Sequence, residues 1–128
     1  MSKSNYAETL TLDYLLTANA VTRPSALYVA LHTADPTETG AVAEIAAGNG
    51  YARQSVTFDN AAQPYVNMAA VEFGPNTVAN WGTATHFSIW TAPTGGDCLY
   101  YGALSAPVVM AVTDTFKFAA GAIAVTED

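Results

Sequence analysis

Hydrophobic and polar positions alternate most regularly over residues 83–91 of this sequence. Phe87 and Ile89 fall on one side of the alternation, whereas Ser88 and Trp90 fall on the other. Successive side chains of a β-strand point to opposite faces, so a period of two predicts a strand here. Because both sides carry large groups, we expect a central strand with protein packed against both of its faces.

Similar short runs occupy most of the chain after residue 25, and turn residues separate them. Residues 26–33 alternate almost as regularly as residues 83–91, and Ala79-Asn80 and Pro93-Thr-Gly-Gly96 predict turns on either side of the central strand. Many short strands separated by turns predict an all-β fold, here an antiparallel, jelly-roll-like β-sandwich of about eight strands. The further predicted strands cover residues 41–46, 51–58, 66–73, 98–104, 108–112, 115–119 and 123–126.

The first part of the chain has a helical pattern instead. Asn5 is placed to cap a helix over residues 5–18, with Glu8 three residues later as in a capping box. We therefore expect an N-terminal arm, residues 1–20, that docks an amphipathic helix on its own domain or on a neighbour, and a β-sandwich domain, residues 21–128. The apolar stripe of the helix is Tyr6, Leu10 and Tyr14, broadened by Leu12, Leu15 and Leu16.

Composition restricts the partners that this chain can have. Hydrophobic residues make up 51% of it and charged residues only 12%, about half the usual share, which favours a surface covered by other protein subunits. The net charge is −7 and the four cations are scattered, so we expect neither nucleic acid nor an acidic membrane surface as a partner. Cys98 is the only cysteine and no signal peptide or membrane-spanning run is evident, which favours folding in a reducing cytoplasm.

Residue patterns that carry catalysis or bind cofactors are not evident in the sequence. Its glycine pairs lie between predicted strands rather than at the start of a helix, which is typical of turns and not of a nucleotide site. One cysteine and two separated histidines do not match the spacing of a zinc site, so we expect no metal and no cofactor. His32 and His86 are expected to be partly buried imidazoles that are hydrogen-bonded to a neighbour, and Cys98 a small buried hydrophobic residue, rather than a base and a nucleophile. We accordingly expect that the protein is not an enzyme.

Several segments resemble a known family of proteins when they are taken together. They are Leu27-Tyr-Val-Ala-Leu-His-Thr-Ala-Asp-Pro-Thr-Glu-Thr-Gly40, Gly50-Tyr-Ala-Arg-Gln-Ser-Val-Thr-Phe58, Trp81-Gly-Thr-Ala-Thr-His-Phe87, Leu99-Tyr-Tyr-Gly-Ala-Leu-Ser105 and Asp114-Thr-Phe-Lys-Phe-Ala-Ala-Gly121. In this order they resemble small virion proteins of tailed bacteriophages, which are often labelled tail fibre proteins and have β-sandwich relatives that serve as head decoration (cement) proteins. The resemblance implies a structural role and no catalytic residue.

A capsid decoration protein is the role that we expect first. A compact chain of 128 residues without a coiled-coil or collagen-like repeat has no room for a fibre shaft. We expect a homotrimer on the outer surface of the head that binds the major capsid protein and stabilises the shell. The alternatives are a tail or tail-tip component bound to tail proteins, and a carbohydrate-binding module for host attachment that stacks sugars on its aromatic rings. The candidate contact residues are Tyr6, Leu10, Tyr14, Asp35, Pro36, Glu38, Trp81, Trp90 and Tyr101.

Overall fold

The computed structural model describes residues 1–77 and 80–127. The predicted turn at Ala79-Asn80 therefore lies partly outside the described residues, and the final residue of the predicted sandwich domain lies wholly outside them. Within these ranges, no helix is long and apolar enough to cross a membrane. In chain order the elements are β1 (Ser2–Lys3), α1 (Asn5–Leu16), β2 (Leu27–His32), β3 (Gln54–Val56), β4 (Tyr65–Val66), β5 (Val71–Phe73), β6 (Gly82–Trp90), β7 (Cys98–Met110), β8 (Phe116–Phe118) and β9 (Ala124–Val125).

The strands form antiparallel sheets, as the sequence predicts. The largest is a five-stranded sheet in the order β1-β7-β6-β2-β3, and two strand pairs, β4-β9 and β5-β8, supply the second layer. β6 is the middle strand of the large sheet and pairs with β2 on one side and with β7 on the other. The predictions of an all-β, sandwich-like fold and of a central strand over residues 83–91 are confirmed.

One face of the large sheet forms the main core. Val29 and Leu31 of β2 and Ile89 of β6 are 0%, 0% and 1% exposed, and they belong to the same packed cluster as Phe73 and Phe118 from the β5-β8 pair. The aromatic rings of this cluster meet mostly edge to face, the favourable arrangement for their quadrupoles, with 5.7 Å between the ring centres of Phe87 and Phe118. This face forms because apolar residues occupy every second position of β2 and β6.

The opposite face of the same sheet is also buried, which the two-sided pattern predicts. Ala30, Trp90 and Cys98 form a second, smaller cluster there, and Ser88 and His32 are both 0% exposed. The loop after β2 covers this cluster, since Gly40 lies directly against Cys98 and Trp90. β6 therefore has protein on both of its faces.

Two predicted strands are one continuous strand in the structure. Residues 98–104 and 108–112 form one strand, β7, although Pro107 lies inside it. Ala103 pairs with His86 and Val108 with Ala84, so four β7 residues oppose one residue of β6 in a bulge. Such a bulge tolerates a proline because the residues within it need not donate a ladder hydrogen bond.

The predicted strand over residues 66–73 is divided into β4 and β5 because Asn67 interrupts it. The Asn67 side chain donates to the carbonyls of Ala69 (2.8 Å) and Ala119 (3.0 Å) and accepts from the backbone N–H of Ile123 (2.8 Å). An asparagine that forms hydrogen bonds in this way competes with the regular ladder. The predicted strand over residues 41–46 is reduced to one bridge between His32 and Glu44.

The N-terminal helix is present, but its cap and its C-terminal end differ from the prediction. Ser4, not Asn5, is the N-cap, and α1 ends at Leu16 rather than at residue 18. β1, which the sequence did not predict, pairs with Tyr100 and Tyr101 of β7 and fastens the start of the chain to the sheet. The division into an arm (residues 1–20) and a sandwich domain (residues 21–128) stays a prediction.

Candidate interaction surface

The first turn of α1 is fixed firmly to the sheet. Ser4 is 1% exposed: its backbone N–H donates to the carbonyl of Leu99 at 2.9 Å, and its hydroxyl donates to the carbonyl of Cys98. The same hydroxyl accepts from the backbone N–H of Ala7 at 3.1 Å, which is the usual N-cap bond. Asn5 donates its backbone N–H to the carbonyl of Glu38 at 3.1 Å, so the helix begins against the loop over residues 35–40.

The rest of α1 projects large apolar side chains into solvent. Leu12 is 56% exposed, Tyr14 73%, Leu15 67% and Leu16 75%. The predicted amphipathic stripe is not what the helix buries: Tyr6 and Tyr14 are exposed and Leu10 is half-buried, whereas the buried residue is the small Ala7. Apolar residues occur on several sides of the helix, so docking on its own sheet leaves most of them uncovered.

The loop over residues 35–40 is ordered by its own hydrogen bonds. Asp35 accepts from the backbone N–H of Thr37 at 2.9 Å, and the N–H of Gly40 donates to the Thr37 carbonyl at 2.9 Å. Gly40 has a φ of +71°, and a Cβ added there would lie 2.4 Å from the Cβ of Cys98, so no larger residue fits. Pro36 is buried within the loop, which leaves Asp35 and Glu38 as its exposed candidate contacts.

Tyr101 joins this loop to the edge of the sheet. It is half-buried in β7, opposite Ser2 of β1. Partial burial and the nearby carboxylates of Glu38 and Asp35 raise the pKa of its phenol. The structure therefore brings the start of α1, the exposed loop carboxylates and Tyr101 together as one continuous surface.

The two tryptophans lie inside the protein rather than on that surface. Trp81 is 7% exposed and donates its indole N–H to the carbonyl of Asn49 at 2.9 Å, and Trp90 is 6% exposed. Sugars cannot stack on these two rings because protein covers their faces, whereas Tyr101, the third ring considered for sugar binding, stays partly exposed. Together with Pro36, the two tryptophans drop out of the candidate contact set, since buried side chains cannot meet a partner.

Arg53 covers the face of Trp90 and connects three segments. Its guanidinium carbon lies 3.9 Å from the centre of the indole ring, and it forms a two-pronged ion pair with Glu44 (2.9 and 2.8 Å). It also donates to the carbonyls of Ala92 (3.0 Å) and Gly95 (2.8 Å) in the β6–β7 turn. Partial burial raises the pKa of Glu44, but its bonds to Arg53 outweigh this effect and hold the pKa below its ordinary value. The sequence did not predict this cluster, because the residues that Arg53 binds lie between 9 and 42 residues away from it along the chain.

His32 is a buried imidazole with a partner on each nitrogen. Its Nδ1 lies 2.8 Å from the carbonyl of Val42, which can only accept, so Nδ1 carries the proton. Nε2 then accepts from the hydroxyl of Ser88 at 2.7 Å, and that oxygen accepts from the indole N–H of Trp90 at 2.6 Å. Burial lowers the pKa of His32, so the imidazole is neutral. The prediction of a buried, hydrogen-bonded histidine is confirmed at this position.

Two side chains with potentially reactive groups, Ser88 and Cys98, are buried in the sheet. Ser88 is 0% exposed to solvent, and burial raises the pKa of Cys98 to about 12, the opposite of what a reactive thiol needs. Among residues 1–77 and 80–127, no three His, Cys, Asp or Glu side chains are grouped closely enough to hold a metal ion. The arrangement can instead present a rigid apolar helix, a fixed acidic loop and a tyrosine to another protein.

The fold and the surface define a small all-β domain whose N-terminal helix leaves most of its large apolar side chains exposed. The chain belongs to the family described as podophage GP4 fiber I protein gp80, whose model matches residues 2–126. A search of curated proteins finds no match. The protein is therefore a structural protein of the bacteriophage virion, and the resemblance to phage virion proteins is confirmed at that level.

Proposed function

We propose that this protein is a non-enzymatic subunit of the fibre apparatus of the phage tail, held among other virion proteins by the exposed side of α1. The observation that carries the proposal is the exposure of Leu12, Tyr14, Leu15 and Leu16, each more than half uncovered. Soluble proteins seldom present so many large apolar groups on one short segment without a partner. The family description supports placing that partner in a fibre.

The free energy of this contact can be estimated from the exposed side chains of the helix. Complete burial of a leucine side chain is worth about 1.5–3 kcal/mol, so three leucines and a tyrosine supply several kcal/mol before the entropy of association is subtracted. One copy alone then binds weakly. A virion presents many copies side by side, and multivalent contact makes the sum strong. The function is mechanical: the domain fills space and fastens neighbouring subunits, without a cofactor, nucleic acid or membrane as a partner.

A capsid decoration protein is the second candidate. The compact fold supports it, because most of the chain is used in two packed layers and none of the described elements extends into a shaft. The net charge of −7 suits the outer surface of a shell better than its DNA-facing interior. In this role a homotrimer would bind the major capsid protein on the outside of the head.

Phage complementation tests the role of α1. A phage lacking the gene for this protein is supplied with the wild-type chain, with a Leu15→Ser/Leu16→Ser variant, or with an Asn19→Ser control just beyond the helix. Because serine cannot replace the apolar contacts that Leu15 and Leu16 make with the partner, we expect the double variant to fold but to be absent from purified particles. The control should be incorporated normally. Incorporation of the double variant at the wild-type level would refute the contact through α1.

Copy number and position separate the two candidate locations. Quantitative mass spectrometry of purified particles should give the small copy number of a tail organelle, and gold-labelled antibody should bind at the tail. A copy number comparable to that of the capsid protein, with label around the head, would reject the fibre role in favour of decoration.

A further inference from the structure

An apolar groove opens between the outer edge of β7 and β8. It has a volume of about 650 Å³, and Met1 is one of its lining residues and lies close to Gly102. Small side chains such as Ala106 and Ala122 line its walls, and Phe87 and Phe118 of the main core lie at its floor. Among the described residues that line it, Lys117 has the one charged side chain. The core therefore reaches the surface here.

The groove does not suit an added strand. Beyond Tyr101, β7 pairs with no strand on its outer side among the described residues, so its edge is open. However, the bulge between Ala103 and Val108 distorts this edge, and Pro107 within it has no N–H to donate. Bulges and prolines are the features that protect edges against strand addition. The occupant must therefore contribute side chains, as a helix does.

α1 of the same copy cannot enter this groove. The helix begins beside the loop that covers Trp90 and Cys98, whereas Phe87 in the groove points to the other face of the sheet. Its N-terminal turn is fixed there by Ser4 and Asn5. A helix in the groove must come from another molecule.

Charge favours α1 of a second copy over a symmetric pairing of two helices. α1 contains Glu8 and Asp13 and no basic residue in its last turn, so two such helices side by side would bring like charges together. The C-terminal end of a helix carries partial negative charge and favours a nearby cation. Lys117 in the groove supplies that cation, with Glu72 opposite it in the β5-β8 register as its one acidic neighbour there.

We propose that the last turns of α1, from Leu12 to Leu16, are seated in the β7–β8 groove of a second copy. This inference rests on the proposed function and names the partner of the helix. The contact is heterologous, since two different surfaces meet, and it therefore generates either a closed ring, such as a trimer, or an open stack.

Two complementary variants test the contact by sedimentation velocity and mass photometry. The Leu15→Ser/Leu16→Ser variant keeps the groove intact, and an Ala106→Trp variant fills the groove at an exposed position while keeping the helix. Each variant alone should be monomeric. In Leu15→Ser/Leu16→Ser the affinity of self-association should fall about 100-fold, because two leucine contacts worth about tenfold each are lost. In Ala106→Trp it should fall because the tryptophan occupies the space that the helix needs. The two mixed together should form a heterodimer, because the helix of one meets the groove of the other. Continued oligomerisation of Ala106→Trp alone would overturn the proposal.

Cysteine cross-linking supplies a second measurement on the otherwise native chain. Leu15→Cys protein mixed with Ser105→Cys protein should give a disulfide-linked dimer, while the buried Cys98 leaves little background. A Leu15→Cys and Thr94→Cys mixture is the control, since Thr94 lies in the exposed β6–β7 turn. Equal cross-linking of both mixtures, or a monomeric wild-type chain, would overturn the proposal. Loss of Leu15→Ser/Leu16→Ser from virions despite a monomeric wild-type chain would leave the proposed function standing and refute only this inference.

Discussion

Replacement of Arg53 by alanine should be among the most destabilising single changes in this protein. The side chain of Arg53 is 8% exposed and that of its partner Glu44 is 24% exposed, so the ion pair is largely shielded from water. Removal of one partner of a buried pair costs about 3–5 kcal/mol, because the other charge is left uncompensated. The same change uncovers the Trp90 ring and frees the carbonyls of Ala92 and Gly95. Since a domain of this kind is stable by only about 5–15 kcal/mol, the loss is a large fraction of the total.

The assay is denaturant unfolding followed by tryptophan fluorescence, with calorimetry for the melting temperature. For a chain of this length we expect a decrease of roughly 10–20 °C in Tm, from about 3–5 °C per kcal/mol. Lys3→Ala is the matched control, because Lys3 forms the other ion pair found within residues 1–77 and 80–127, with Glu127, and the two side chains are 23% and 42% exposed. Exposed pairs contribute about 0–1 kcal/mol, so this variant should melt close to the wild type. Equal losses for the two variants would refute the argument that burial gives the Arg53 cluster its weight.

The remaining predictions concern the cap, the loop and the buried histidine. Ser4→Ala should lower the free energy of unfolding by about 1–2 kcal/mol and reduce the helical circular dichroism signal. Asn5→Ala, at the position where the sequence suggests the cap, should change the free energy of unfolding little. Equal effects of the two substitutions would contradict the observed cap. Gly40→Ala should lower Tm by more than Gly48→Ala does. Both glycines have a positive φ, but of the two only Gly40 has side chains packed against it. A larger decrease in Tm at Gly48 would count against the close packing of the loop. Burial lowers the pKa of His32 below 6.5, so the unfolded chain takes up a proton that the folded chain resists; stability should fall as pH drops below about 6.5. This part of the pH dependence should vanish in His32→Gln, and an unchanged slope in urea titrations at successive pH values would rule out His32 as its source.

The class of the fold and most of its strands could be predicted from the pattern of residues along the chain. Alternation over residues 26–33 and 83–91 predicts β2 and β6, because side chains on a strand must point alternately to its two faces. The same pattern predicts that β6 is covered on both sides, which the main core and the Trp90 cluster confirm. Its motifs also indicated a phage virion protein, which the family match over residues 2–126 supports. These features are local, so they can be read from neighbours along the chain.

Which of the candidate contact residues are exposed depends on long-range packing and could not be predicted from the sequence. Trp81, Trp90 and Pro36 look like contact residues in the sequence, but long-range packing buries them, with Arg53 brought onto Trp90 from a distant part of the chain. The orientation of α1 was equally undetermined, because a helix with apolar residues on several sides can dock on any of them. Its N-terminal turn is fixed by Ser4 to a strand 94 residues away, and this contact leaves the leucines facing outward. A local pattern specifies what a segment can form, whereas burial depends on which distant segments it meets.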